Sequence, residues 1–144
     1  MSGRGGGAAM SGPGGDREPG PLSTARGAWE RRLAPLPALD LAGGLRVHDA
    51  RGLSARGRGL GGLESLPADR ALRIPRCRAV HTFTMRFALD LIWLGPDGSV
   101  VRVDRAVPPR RHRGCARARA VVETRAGCAD RFLAAGIAGY TSVR

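Results

Sequence analysis

Two apolar runs joined by a tight turn restrict the folds open to this chain more than any other feature. Leu89–Leu94 leads straight into Gly95, Pro96, Asp97 and Gly98, and Val100–Val107 comes after Ser99. Pro96 presets φ, the Asp97 carboxylate can bond its own backbone, and Gly98 takes a positive φ without penalty. The spacing predicts an antiparallel hairpin over residues 89–107. In its second arm Val101, Val103, Arg105 and Val107 share one face, with Val100, Arg102, Asp104 and Ala106 on the other. That is the period of a strand half turned towards a core.

Other strands are short: residues 45–48, 71–74, 80–85 and 120–123 are rich in β-branched or bulky side chains. Helical spacing appears in residues 23–33, where Trp29 and Leu33 stand i, i+4 behind Ser23 or Thr24 as N-cap. Residues 53–66 place Leu53, Leu60 and Leu63 on one helical face, against the cost of four glycines. Residues 128–135 make a short helix that Gly136 stops. Pro35 and Pro37 end the first helix, and residues 36–44 are expected to be a loose connection. The sum is a mainly-β chain: a small antiparallel β-sandwich or barrel-like domain with one or two short helices. Its expected organisation is a disordered Gly/Pro-rich tail (1–22), a short helix and linker (23–44) and one β-rich domain (45–144). The tail has too little apolar surface to offset the entropy of ordering, and Met10 is a second candidate start.

Of 144 residues none is lysine, so the formal charge of +12 comes from arginine alone. An anionic partner such as RNA, DNA or a phosphorylated surface would be drawn to that field. A GC-rich coding bias would also enrich Arg, Ala, Gly and Pro. With aromatics at only 4%, the compositional explanation is preferred. Cys77, Cys115 and Cys128 leave one thiol unpaired under any bridging, unlike a secreted disulfide framework. The N-terminus has no apolar signal core and no run is long enough to span a bilayer. A cytoplasmic protein with no membrane contact is expected.

A pattern then emerges across residues 47–137. It comprises Arg56, Gly59 and Leu60 as Arg-x-x-Gly-Leu; His81, Thr82, Phe83 and Met85 running into Leu89 and Asp90; Asp97, Gly98 and Val100; Pro108; Val121, Glu123 and Gly127; and Gly136 with Ile137. In this order the motifs resemble the bacterial and archaeal family known as domain of unknown function 192. The resemblance implies a compact, mostly antiparallel β domain with small helices and brings no catalytic set with it. Two departures stand out. Asp69 and Arg70 precede the strand at Ala71 where members usually have glycine. Members also continue beyond Gly-Ile into a final strand, whereas this chain stops at Arg144. Either that strand is lost, leaving an open sheet edge, or the end of the gene has shifted.

Candidate chemistry centres on His81 and Asp90. If their strands pair, imidazole and carboxylate could form an acid/base or ligand-orienting couple. The competing reading makes Asp90 an acceptor for backbone N–H groups at a strand end and His81 a satisfied side chain, and it is preferred because buried polar groups are generally paired. Met85, Arg86 and Glu123 complete the candidate ligand site, with Arg86 able to neutralise Asp90 instead. Cys77, His81, His112 and Cys115 are zinc-ligand types, but their spacing is no paired-cysteine knuckle and arginines surround the second pair; no metal is assigned. Gly57, Gly59 and Gly62 fit G-x-G-x-x-G without the βαβ context that gives it meaning, so no cofactor is expected. Cys128 near a helix start reads as a small buried hydrophobe.

The basic loop 105–119 offers Arg110, Arg111 and Arg113 as anion contacts, with Arg105, His112, Arg117 and Arg119 beside them. It lacks interleaved aromatics for base stacking, so a solvated loop is preferred over a nucleic-acid contact. The expectation is a small non-enzymatic binding or accessory module with a small ligand or a protein as partner. The alternatives are an enzyme or ligand-binding protein using His81 and Asp90, and a nucleic-acid binder using loop 105–119.

Overall fold

The computed structural model describes residues 21–139. Most of the expected tail, the Met10 start and the ending at residues 140–144 lie outside them, as does the side chain of Leu53. Helix α1 (Pro21–Leu33) leads to β1 (Ala38–Leu41), β2 (Leu45–Asp49), α2 (Leu53–Arg58), β3 (Arg70–Pro75) and β4 (Ala79–His81). After these come β5 (Leu89–Leu94), β6 (Val100–Val107), β7 (His112–Gly114), β8 (Ala120–Arg125) and α3 (Ala129–Ala134). Six strands form one sheet in the order β1-β2-β3-β8-β5-β6, and β4 pairs with β7 in a second sheet. The protein is mainly β, as the spacing of its short strands predicts. The large sheet is open, with β1 and β6 as its edges.

Every pair is antiparallel except β2–β3. Parallel neighbours need a long crossover, here the segment containing α2. That segment is less helical than its leucine spacing suggests: α2 ends at Arg58 because Gly59 turns to φ 48°, ψ −135°. Leu60, Leu63 and Leu66 still reach the core from the turns beyond. The connection at residues 36–44 is not loose. β1 pairs with β2 in register Ala38↔His48 to Leu41↔Leu45, and Leu33 at the end of α1 is fully buried.

All six residues of β5 are buried because both sheet faces are covered. One face carries Leu72, Ile74, Leu89, Leu91, Trp93 and Val121 beneath α1, the α2 segment and Val80 of the small sheet. The other carries Val47, Ala71, Ile92, Leu94 and Val122 beneath Phe132 of α3 and Ile137. Trp93 lies wholly inside the first core, yet its Nε1–H donates to Asp104 Oδ2 at 2.9 Å. A buried indole usually needs such a partner.

The 89–107 hairpin forms as expected, but its second arm does not alternate uniformly. Pairing shifts between Leu89 and Leu91 and again between Trp93 and Leu94. Each shift is a β-bulge, which adds a residue on one strand and reverses the facing of the residues beyond it. Val101 therefore packs into the first core and Val103 into the second. Likewise the strand expected over residues 80–85 ends at His81. There the chain turns, with the Met85 N–H donating to the Thr82 carbonyl oxygen at 3.1 Å.

Candidate functional site

Asp90 and His81 are carried by strands that do not pair: β5 sits inside the large sheet, β4 in the small one. Asp90 is 1% exposed and acts as a three-way backbone clamp. Its Oδ1 accepts the Ala106 N–H at 2.8 Å; its Oδ2 accepts those of Gly127 at 2.9 Å and Ala129 at 3.1 Å. Ala106, at φ 50°, belongs to the first bulge. Gly127 and Ala129 form the turn from β8 into α3. One carboxylate thus fixes β6 and α3 to β5. His81 is exposed, opposite His112 across the small sheet. Met85 is in the first core. Arg86 pairs on the surface with Glu64 at 3.2 Å, not with Asp90.

Glu123 occupies β8, opposite Leu72 of β3 and Leu91 of β5. Asp90 pairs with its neighbour Thr124, so alternation turns the two carboxyls to opposite faces. Glu123 Oε2 is buried with no hydrogen-bond partner among the described residues, and burial lifts its pKa to about 7. Gly59, in the Arg-x-x-Gly-Leu element, lies against it: a Cβ there would stand 3.8 Å from Oε2. Cys77 is close enough for its thiol pKa to be raised by burial first and by the Glu123 charge as well; its Sγ–H donates to the Ala79 carbonyl at 3.1 Å.

A cavity lies elsewhere, at the C-terminal ends of β2, β3 and β5 where β8 begins. It measures about 700 Å³ and is lined by Arg51, Arg56, Arg73, Arg76 and Arg119 with one acid, Asp49. Pro75, Leu94, Pro96 and Ala120 supply apolar wall. Asp49 stands 3.5 Å from both Arg51 and Arg73, neutralising part of the charge. Arg56 Nη2 donates to the Arg76 carbonyl at 2.8 Å, and Arg119 Nη1 to the Ala118 carbonyl at 3.0 Å. Planar guanidiniums converging on one partly apolar space are suited to phosphate or carboxylate oxygens. Only Arg56, through the family-like motif, and Arg119, in the basic loop, stood out in the sequence.

The zinc-like set is split by the same strands that gather it. His81 and His112 face each other, whereas Cys115 is buried in the first core and Cys77 is half-buried. Among the described residues no group of three or more His, Cys, Asp or Glu is arranged to hold a metal ion. No helix among them is long and apolar enough to cross a membrane. Arg110, Arg111 and Arg113 lie outside the arginine-lined cavity.

Two solved structures share the fold. A protein of unknown function from Novosphingobium aromaticivorans DSM 12444 is 18% identical with a TM-score of 0.54, covering 66% of this chain and 85% of that one. A Sinorhizobium meliloti 1021 protein, described as a candidate transcription regulator, is 22% identical with a TM-score of 0.54, covering 66% and 82%. Among curated proteins there is no match. The family model for DUF192, described as Uncharacterized ACR, matches residues 40–136, from β1 through α3. The chain belongs to the DUF192 family.

Proposed function

We propose that the protein is a non-enzymatic binding module that takes a small anionic ligand into the arginine-lined cavity. The observation that carries this reading is the convergence of five arginines from separate segments against one aspartate. Surface charge alone, as coding bias would produce it, has no reason to gather around a concave space. A ligand with phosphate or carboxylate groups and a small apolar body matches the lining. His81 and Asp90 give less support to an enzyme, since Asp90 accepts three backbone hydrogen bonds and His81 stands on the other sheet.

The test is thermal unfolding of the full chain with phosphate, di- and tricarboxylates and nucleotides at fixed ionic strength. At a hundredfold excess over Kd, a ligand should add about 2.7 kcal/mol to stability. Arg76→Asn with Arg119→Gln should abolish that gain and leave the ligand-free midpoint within a few degrees. Both side chains are exposed, and asparagine tolerates the φ of 53° at residue 76. If no anion moves the midpoint, or if the double variant responds like the parent, the cavity is not the binding site.

A further inference from the structure

We infer that the outward face of the small sheet is a docking surface for single-stranded nucleic acid. The register Val80↔Arg113 and His81↔His112 fixes its orientation. Val80 is buried in the first core, so alternation turns His81 and His112 away from the molecule. Phe83 stacks on His81, with ring centroids 5.2 Å apart and planes inclined by 20°. It remains 60% exposed, whereas the other two phenylalanines are half-buried or fully buried. A largely solvated ring braced by a second ring is a platform for an unpaired base.

The arginine loop is fastened beside this platform. Thr82 lies between His81 and Phe83, and its Oγ1 donates to the Pro108 carbonyl at 2.7 Å while accepting the Arg111 N–H at 2.9 Å. Its own carbonyl accepts the Arg110 N–H at 2.9 Å. These bonds tie residues 108–111 to the aromatic segment. Arg113 shares the inward face with Val80 and is half-buried, whereas Arg110 and Arg111 are exposed; among the described residues the Arg111 guanidinium bonds only to the Arg110 carbonyl. Among the described residues no ion pair engages Arg110, Arg111 or Arg113. Fixed cations next to a ring match a chain of phosphates whose bases are free to stack, and a duplex hides the base faces that the ring would need. The occupant is therefore a single strand, bound on a surface separate from the cavity.

The experiment is fluorescence anisotropy of the full chain with a labelled oligouridylate over a salt series. Unlabelled duplex and polyglutamate serve as competitors. Phe83→Leu should weaken binding roughly tenfold at every salt concentration and leave the salt slope unchanged. Arg110→Asn with Arg111→Gln should reduce the log–log salt slope by about 1.4, two phosphate contacts on a single strand, and asparagine tolerates the φ of 63° at residue 110. Arg76→Asn with Arg119→Gln should bind the strand like the parent, which distinguishes this surface from the cavity. Each variant's melt should match the parent's, because these side chains are outside the core. Absence of binding, a Phe83→Leu variant as tight as the parent, or polyglutamate competing as well as the unlabelled strand would each overturn the assignment.

Discussion

Asp90→Ala is expected to lower the unfolding free energy by about 4 kcal/mol, within the range for removing one partner of a buried charged network. The carboxylate is 1% exposed and accepts from Ala106, Gly127 and Ala129. Truncation leaves three backbone donors without their acceptor, two at the entry to α3 and one in a bulge that a positive φ already strains. Hydrogen bonds to charged groups contribute about 1.5–3 kcal/mol each, less than additively when they share an acceptor. A domain of this size is stable by about 5–15 kcal/mol, so the variant should melt roughly 15–30 °C lower. Asp90→Asn retains one acceptor oxygen and sets an NH₂ against the remaining donor, so about half the effect is expected. Amide exchange separates a clamp from a reactive group: Ala106, Gly127 and Ala129 should lose protection first. If either variant melts within a degree or two of the parent with those amides still protected, Asp90 is not what holds β6 and α3.

What could be read from the residues was the part governed by local chemistry. Pro96, Asp97 and Gly98 specify their turn wherever they occur, and the hairpin around them formed. The bulges did not announce themselves. A positive φ at Ala106 contradicts alanine's own preference and is sustained by a carboxylate on the neighbouring strand. Residues 36–44 looked loose because two prolines and two glycines dominate them and their surroundings. Their strand is set by pairing with β2 and by the Arg46–Asp40 contact at 2.6 Å, which only the fold brings about. The candidate sites divide in the same way. Arg-x-x-Gly-Leu and Val-x-Glu were visible as separate motifs, but not that Gly59 would lie against the Glu123 carboxyl. The cavity draws arginines from positions 51 to 119, a grouping with no sequence period. Loop 105–119 contains no aromatic residue, and Phe83 reaches its neighbourhood through the β4–β7 pairing. Residue type was legible; convergence was not.

Glu123→Gln should change how stability depends on pH more than it changes stability at acid pH. Burial raises the folded pKa of Glu123 to about 7, from an ordinary value of 4.5. By linkage, a carboxyl protonated in the fold contributes stability that is fully present below the unfolded pKa. That stability is lost as pH rises through the folded one. A shift of this size corresponds to about 3 kcal/mol, lost between pH 4.5 and somewhat above 7. His48 acts in the opposite direction: burial first, then the Arg70 and Arg46 charges, lowers its pKa below 6.5. Its contribution falls away as pH drops through that lowered folded pKa. The parent profile therefore combines two opposed slopes, and the glutamine variant isolates one of them. In urea titrations from about pH 4.5 to 9 the parent should lose stability towards the alkaline end relative to Glu123→Gln. The variant should be more stable by roughly 2 kcal/mol above about pH 8, the remainder being offset by the amide's own unmet hydrogen bonds. Below about pH 5 the order should reverse, since a neutral carboxyl fits the site at least as well as an amide. Profiles that stay parallel across the range would mean that the carboxyl is ionised in the fold. A buried anion beneath Gly59 would then need a cation beside it, and Arg56, whose charge also acts on the Cys77 thiol, is the side chain whose replacement should next be tested for the same pH dependence.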